Sequence, residues 1–286
     1  DMVWFEGATV NYAEHIYYGM QHQSVAMLFA TELDTLRTVG VDEMWREVSR
    51  IRAYFQKHGI KQGDRIAAYL PNIPEATFAF LAAASLGAVW SCCSQDFGVS
   101  SVVDRFAQIE PKLFIAADGY LYNGKKHQRT EEINAIIAAL PCLKNTLVIP
   151  YIGTTVDFDD PGITKYNSLE DGPSGPPSFE AVPFNHPLWI LYSSGTTGAP
   201  KAITHSHGGC LLEHLKYLAF HNDVHEGERF FWFTTTGWMM WNFLQGSMLL
   251  GATIILYDGS PGYGGLDRLW KLSEQLDIQL LRKFPQ

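Results

Sequence analysis

Between Leu191 and Lys201 the chain reads LYSSGTTGAPK. Ser193, Ser194, Gly195, Thr196, Thr197 and Gly198 follow one another without a break, and Pro200 precedes Lys201. Each of these residue types has a use beside a polyanion. Glycine lets the backbone approach closely and adopt positive φ. Successive N–H groups form a concave anion site. Hydroxyls donate to phosphate oxygens, and lysine adds a point charge. The stretch therefore has the chemistry of a phosphate cradle. It is not the common P-loop, in which GxxxxGK[ST] opens a helix. Here the lysine leads into Ala202-Ile203-Thr204-His205, which reads as a strand. A flexible linker of similar composition would not sit between the apolar run Leu188 to Tyr192 and a proline-lysine pair.

Other chemistry-bearing residues are less pointed. His205 and His207 form H-x-H, with His214 and His221 beyond them. On a strand that spacing places both rings on one face. No Cys, Asp or Glu completes a set at zinc spacing, so no metal site is expected. Cys92, Cys93, Cys142 and Cys210 match neither a zinc site nor a disulfide framework and read as buried, reduced thiols. Asp258-Gly259 after an apolar run could face a ligand at the end of a strand, but reads more simply as a surface loop.

The run YSSGTTGAPKAITHSHGG resembles the phosphate-binding signature of the adenylate-forming superfamily: acyl-CoA synthetases, peptide-synthetase adenylation domains and luciferases. WFEGATVNYAEH is similar to the opening segment of short-chain acyl-CoA synthetases. AAASLGAVWSCCSQDFG, DRFAQIEPKLFIA and TTTGWMMWNFLQGSMLLGATIILYDGSP narrow the resemblance to the acetoacetyl-CoA synthetase family, from Trp4 to about Leu276.

The resemblance implies ATP-dependent activation of acetoacetate to acetoacetyl-AMP, then transfer to coenzyme A with release of AMP, and Mg²⁺ with the nucleotide. It implies that Ser193, Ser194, Gly195, Thr196, Thr197 and Gly198, with Lys201 as the catalytic cation, hold the β- and γ-phosphates in a loop that is mobile without nucleotide. Trp238, Met239 and Met240 stand where acetate-activating relatives line the acyl pocket, although a Met/Trp run opening an apolar helix is also a common core feature. Gln95 stands where relatives often carry proline, and reads as a loop change of small weight.

The fold implied is α/β: the N-terminal portion of the adenylate-forming (ANL) large domain, with mostly parallel sheets flanked by helices. Residues 1–286 would be an incomplete N-terminal adenylation core with a subdomain break near 171–187. The rest of the core and a small C-terminal domain would be absent. The family's aromatic-Gly-x-Thr-Glu and Thr-Gly-Asp motifs and its C-terminal catalytic lysine are not found, and LDIQLLRKFPQ departs from the family's continuation. The polypeptide alone is therefore expected to be inactive. Two alternatives stay open: an acetyl- or propionyl-CoA synthetase, and a truncated, non-catalytic nucleotide-binding module.

The composition is that of a globular chain. With 286 residues, 47% hydrophobic and 18% charged, the chain is globular and long enough to bury a core. A net charge of −9 argues against non-specific binding to nucleic acid or to an anionic membrane; the resemblance implies small-molecule substrates, namely acetoacetate, ATP and coenzyme A. No apolar run has the length of a membrane span and no signal-peptide pattern opens the chain, so a cytosolic location is expected. The chain begins at Asp1, and its true N-terminus is expected to lie upstream.

The elements that must position the loop follow from periodicity. Met44, Val48, Ile51 and Phe55 mark one face of a helix over 42–58, with Asp42 as N-cap and Gly59 as its stop. Further helices are predicted over 74–86, 100–108, 131–140, 208–220, 239–250 and 267–276. Strands are predicted over 65–70, 88–92, 112–116, 145–149, 188–192, 202–205, 229–234 and 253–257. This alternation implies a mostly parallel sheet, interrupted by the five prolines of 171–187.

Overall fold

The structure, a computed structural model, describes residues 5–153, 162–193 and 200–283. It opens with a two-residue strand, β1 (Thr9–Val10), and helix α1 (Tyr12–Gly19). Asn11 caps α1 by accepting from the N–H groups of Ala13 and Glu14. β2 (Val25–Thr31) and β3 (Leu36–Gly40) form an antiparallel pair. α2 (Val41–Lys57) buries the Met44, Val48, Ile51 and Phe55 stripe, and Gly59 at φ 71° ends it. Its cap is Gly40 rather than Asp42, because the chain leaves β3 directly into the helix.

β4 (Arg65–Tyr69), α3 (Pro74–Ser85), β5 (Val89–Cys93), α4 (Val99–Phe106) and β6 (Leu113–Ala117) then alternate as the sequence predicts. A hairpin of β7 (Gly119–Tyr122) and β8 (Lys125–Gln128) turns at Asn123-Gly124. α5 (Thr130–Ala139), β9 (Asn145–Ile149) and β10 (Ile163–Lys165) follow, and β11 (Val182–Pro183) pairs with β1. The last third comprises β12 (Pro187–Tyr192), β13 (Ala202–Ser206), α6 (His207–Phe220), β14 (Arg229–Phe233) and α7 (Met239–Gly246). A 3₁₀ turn (Ser247–Leu250), β15 (Thr253–Asp258), α8 (Arg268–Gln275) and β16 (Leu280–Lys283) complete it.

Two sheets result. One has seven strands in the order β10-β9-β6-β4-β5-β12-β13, all neighbours parallel except β12 and β13. The other has five in the order β16-β14-β15-β2-β3, parallel except for β2 and β3. Strands from both sides of 171–187 share the seven-stranded sheet.

Period-two alternation sorts the core into layers. Ile66 and Ala68 of β4 face a central cluster with α1, α2, α3, α6 and α7, whereas Ala67 and Tyr69 face α4 and α5 on the far side. In the second sheet Met27 and Phe29 join the central cluster, and Leu28 and Ala30 pack with Leu269 and Leu276 around α8. The order is helices, sheet, helices, sheet, helix. α3 lies in the middle layer and is buried at every position but Glu75, which explains its alanines: a helix covered all round must admit close neighbours. Among the described residues no helix is long and apolar enough to cross a membrane.

Candidate functional site

β12 runs parallel to β5, so Ser193 leaves the seven-stranded sheet at the carboxyl edge from which the Ser94–Phe97 loop also leaves. The stems of the loop are closed by a pair of bonds. Ser193 N–H donates to the Lys201 carbonyl at 3.1 Å, and Lys201 N–H donates to Ser193 Oγ at 3.1 Å. This continues the β12–β13 ladder beyond its last pair, Tyr192 with Ala202. Lys201 is exposed. Ser194, Gly195, Thr196, Thr197 and Gly198 lie outside the described residues. The stems thus set Ser193 and the lysine at the base of one glycine-rich loop at the carboxyl end of a parallel strand, where α/β sheets bind ligands.

A cleft of about 390 Å³ opens at the carboxyl ends of both sheets. Asn72, the Ser94–Asp96 segment, Thr234, Thr235 and Asp258 line it. Asn72 stitches the two sheets together there: its amide donates to the carbonyls of Thr234 and Tyr257, both at 3.4 Å, and accepts from Trp241 Nε1 at 3.0 Å. Thr236 donates to the Leu70 carbonyl at 2.6 Å.

Two of these residues were underrated by sequence. Asp258 is no surface loop: it ends β15 and is buried. It accepts from Tyr151 Oη at 2.8 Å and from Leu121 N–H at 3.2 Å. Burial pushes its carboxyl up to about 6, against those two hydrogen bonds, with Glu32 adding to the rise. Gln95 carries more weight than a loop change. It is buried, its Nε2 donates to the Ala117 carbonyl at 2.6 Å, and its own carbonyl accepts from Tyr69 Oη and Arg129 Nε, both at 3.0 Å. The signal that could have found both is position, since each lies at or just past the carboxyl end of an apolar strand.

The walls proposed for an acyl group are placed unequally. Trp238 caps α7 and Met239 is its first residue, and they are 55% and 58% exposed, whereas Met240 packs partly against the central core. None of the three lines the cleft, whose wall on this side is Thr234 and Thr235.

The H-x-H pair is divided between two elements, His205 on β13 and His207 at the start of α6. The rings are engaged separately. His205 Nδ1 accepts from Trp189 Nε1 at 3.2 Å, and His207 Nδ1 accepts from Tyr12 N–H at 3.1 Å. His214 Nδ1 bonds Tyr12 Oη at 2.7 Å. Burial holds His207 down to about 3, helped by the nearby His186, and His214 down to about 4.

These depressed values fix the sign of a pH effect. The unfolded chain takes up both protons from about pH 6.5 downward, while the folded chain does not until about pH 4 and 3. The histidine contribution is complete above pH 6.5 and is lost as pH falls. Asp258 acts oppositely, because its raised carboxyl stabilises the fold on protonation below about 6. Between pH 6 and pH 5 the histidines remove about 2 kcal/mol and Asp258 returns about 1, for a net loss of about 1 kcal/mol in urea unfolding. Imidazole resonances should show both rings neutral at pH 5. A midpoint above pH 6 for either would contradict this account.

With this geometry in hand, the comparisons with known proteins are specific. The model of the AMP-binding enzyme family matches residues 19–286. An acetoacetyl-CoA synthetase of Gallus gallus is 42% identical over 286 residues, covering 97% of this chain and 43% of the relative. An acetoacetyl-coenzyme A synthetase of Rhizobium meliloti (strain 1021) is 45% identical over 264 residues, 91% of this chain and 40% of the relative. The solved structure of acetoacetyl-CoA synthetase from Streptomyces lividans superposes with a TM-score of 0.93 at 45% identity, covering 98% of this chain and 43% of that one. The chain thus spans less than half the length of these relatives. Both the extent of the family match and the agreement in fold lead to one conclusion: the chain belongs to the AMP-binding enzyme family.

Proposed function

We propose that the chain is the amino-terminal part of an AMP-forming acid–thiol ligase that activates acetoacetate. The observation that carries this reading is the Ser193–Lys201 loop, pinched at its base and set at the carboxyl edge of a parallel sheet, in a chain 42–45% identical to acetoacetyl-CoA synthetases. An acetoacetate carboxylate oxygen attacks the α-phosphorus of ATP, and the bond to the pyrophosphate oxygen breaks. Acetoacetyl-AMP and pyrophosphate result. The thiol of coenzyme A then attacks the acyl carbon, and AMP leaves.

In the first step charge accumulates on the departing pyrophosphate. Ser193, Ser194, Gly195, Thr196, Thr197 and Gly198 would supply N–H and hydroxyl donors to it, and Lys201 a cation. Magnesium would arrive on the phosphate oxygens of ATP. Among the described residues no cluster of three His, Cys, Asp or Glu side chains offers it a ligand set, so no residue here is assigned to it. Trp238, Met239 and Met240 would border the acid, with exposed Trp238 and Met239 closed over by the part of the core that follows in the longer relatives. Residues 1–286 form an incomplete core in this reading, and 171–187 is a long loop of that core, since strands from both sides of it share each large sheet.

The test is a chimera in which this chain replaces the matched 43% of the Streptomyces lividans protein. Acid-dependent ATP–pyrophosphate exchange with acetoacetate should exceed that with acetate by at least about tenfold, the scale on which a pocket separates small acids. Faster exchange with acetate would turn the reading to an acetyl-CoA synthetase. A folded chimera without exchange would overturn it.

A further inference from the structure

Gln108 lies just beyond α4, on the turn where its own N–H donates to the Arg105 carbonyl. Both ends of its side-chain amide are engaged. Nε2 donates to the Asp104 carbonyl at 2.8 Å and to the Pro200 carbonyl at 2.9 Å, and Oε1 accepts from the Ala202 N–H at 3.3 Å. The two hydrogens of the amide thus go to two different carbonyls, and the bond to Asp104 fixes which way the amide faces. The Pro200 carbonyl and the Ala202 N–H flank Lys201. They point away from β12, because the N–H and carbonyl of Lys201 itself point towards it, to Ser193.

This is the pattern of a parallel β-ladder. There a single residue of the neighbouring strand donates to the carbonyl before a given position and accepts from the N–H after it. β13 is the last strand of its sheet, and at Lys201 the glutamine amide takes the place that a neighbouring strand would hold. The same turn of chain holds the other stem: Tyr192 Oη, one residue before Ser193, donates to the Arg105 carbonyl at 2.9 Å. The Arg105 guanidinium lies over the Tyr192 ring at 5.8 Å. The end of α4 therefore grips both sides of the loop at its base.

We propose that Gln108 is a positioning residue, a one-residue surrogate strand that fixes the backbone on either side of Lys201 and so aims the ammonium group into the phosphate loop. This rests on the phosphate-binding reading of that loop. A glutamine that merely finished its own helix would need only the Asp104 carbonyl. The bonds to Pro200 and Ala202 add nothing to α4 and act on the strand alone.

The chain itself serves for the test, with Gln108→Ala, the similarly sized apolar Gln108→Met, and Lys201→Ala. Amide exchange at Ala202 should quicken about fivefold in both Gln108 variants, the effect of losing one net hydrogen bond at the surface. ATP should bind about fivefold more weakly by calorimetry, with the unfolding midpoint within about 2 °C of the parent because the side chain is exposed. Unchanged exchange at Ala202 would overturn the bridge. Faster exchange with unaltered ATP affinity, in a chain whose Lys201→Ala variant binds ATP weakly, would overturn the positioning role and leave the loop's reading standing. If Lys201→Ala binds ATP as the parent does, the loop's reading falls and the aiming of the lysine with it, while exchange at Ala202 still decides whether the bridge exists.

Discussion

Lys201→Ala, made in the chimera, slows acid-dependent ATP–pyrophosphate exchange by more than tenfold at saturating ATP. Hydrogen bonds to charged groups contribute roughly 1.5–3 kcal/mol, and each 1.36 kcal/mol lost from transition-state stabilisation is a factor of ten. Beyond the weaker binding of ATP, this loss falls on the rate, because the charge on the departing pyrophosphate grows as its bond to the α-phosphorus breaks. Lys201→Arg should recover part of the rate only, since a planar guanidinium replaces a compact point charge. The lysine is exposed, so the fold does not depend on it and the midpoint of unfolding should stay within about 2 °C. Undiminished exchange by the alanine variant would remove Lys201 from the phosphate site.

Glu32→Ala lowers stability by about 2–4 kcal/mol, mostly through hydrogen bonds that no other side chain can replace. Glu32 is 0% exposed and follows β2. Its carboxylate accepts from three backbone N–H groups: Asn123 at 3.0 Å, Gly124 at 2.6 Å and Ser260 at 2.7 Å. It therefore joins the five-stranded sheet to the turn of the β7–β8 hairpin and to the loop after Asp258. The N–H groups of the hairpin turn can find water once the carboxylate is gone, but the Ser260 N–H is buried. Gly259 shows how close the carboxylate sits. At φ 125° it adopts a conformation that favours glycine, and an added Cβ would meet Glu32 Cγ at 2.6 Å. Glu32→Gln should cost about half as much, because one amide oxygen can still accept while the NH₂ opposes a donor. Equilibrium urea unfolding measures both, and a loss under about 1 kcal/mol for the alanine variant would refute the account.

Much of this architecture was readable because its signals are local. The stripe of Met44, Val48, Ile51 and Phe55 predicts α2 without reference to any partner, and proline at 74 and glycine at 87 bracket α3. The unread elements depend on partners far away in sequence. Val25–Thr31 is covered on both faces, so it lacks the alternation that marks a half-buried strand. The four residues of β16 form a strand only against β14. The β7–β8 hairpin did carry a local signal in Asn123-Gly124, and α1 in its Asn11 cap. In the site, glycine, serine and lysine chemistry pointed to the loop, whereas the weight of Asp258 and Gln95 lies in partners far away in sequence, such as Tyr151 and Ala117.

The place of β2 in its sheet has a consequence for how the protein is made. β2 lies between β3 and β15, and Met27 through Thr31 pair with Ile254 through Asp258. On a ribosome adding about 5–20 residues per second, the apolar strand VAMLFAT waits roughly 10–45 s for that partner. Throughout that interval its free edge is open to chaperones, to proteases and to other nascent chains, as is the face of Leu28 and Ala30, whose partners Leu269 and Leu276 are made later still. The slower the synthesis, the longer that exposure lasts.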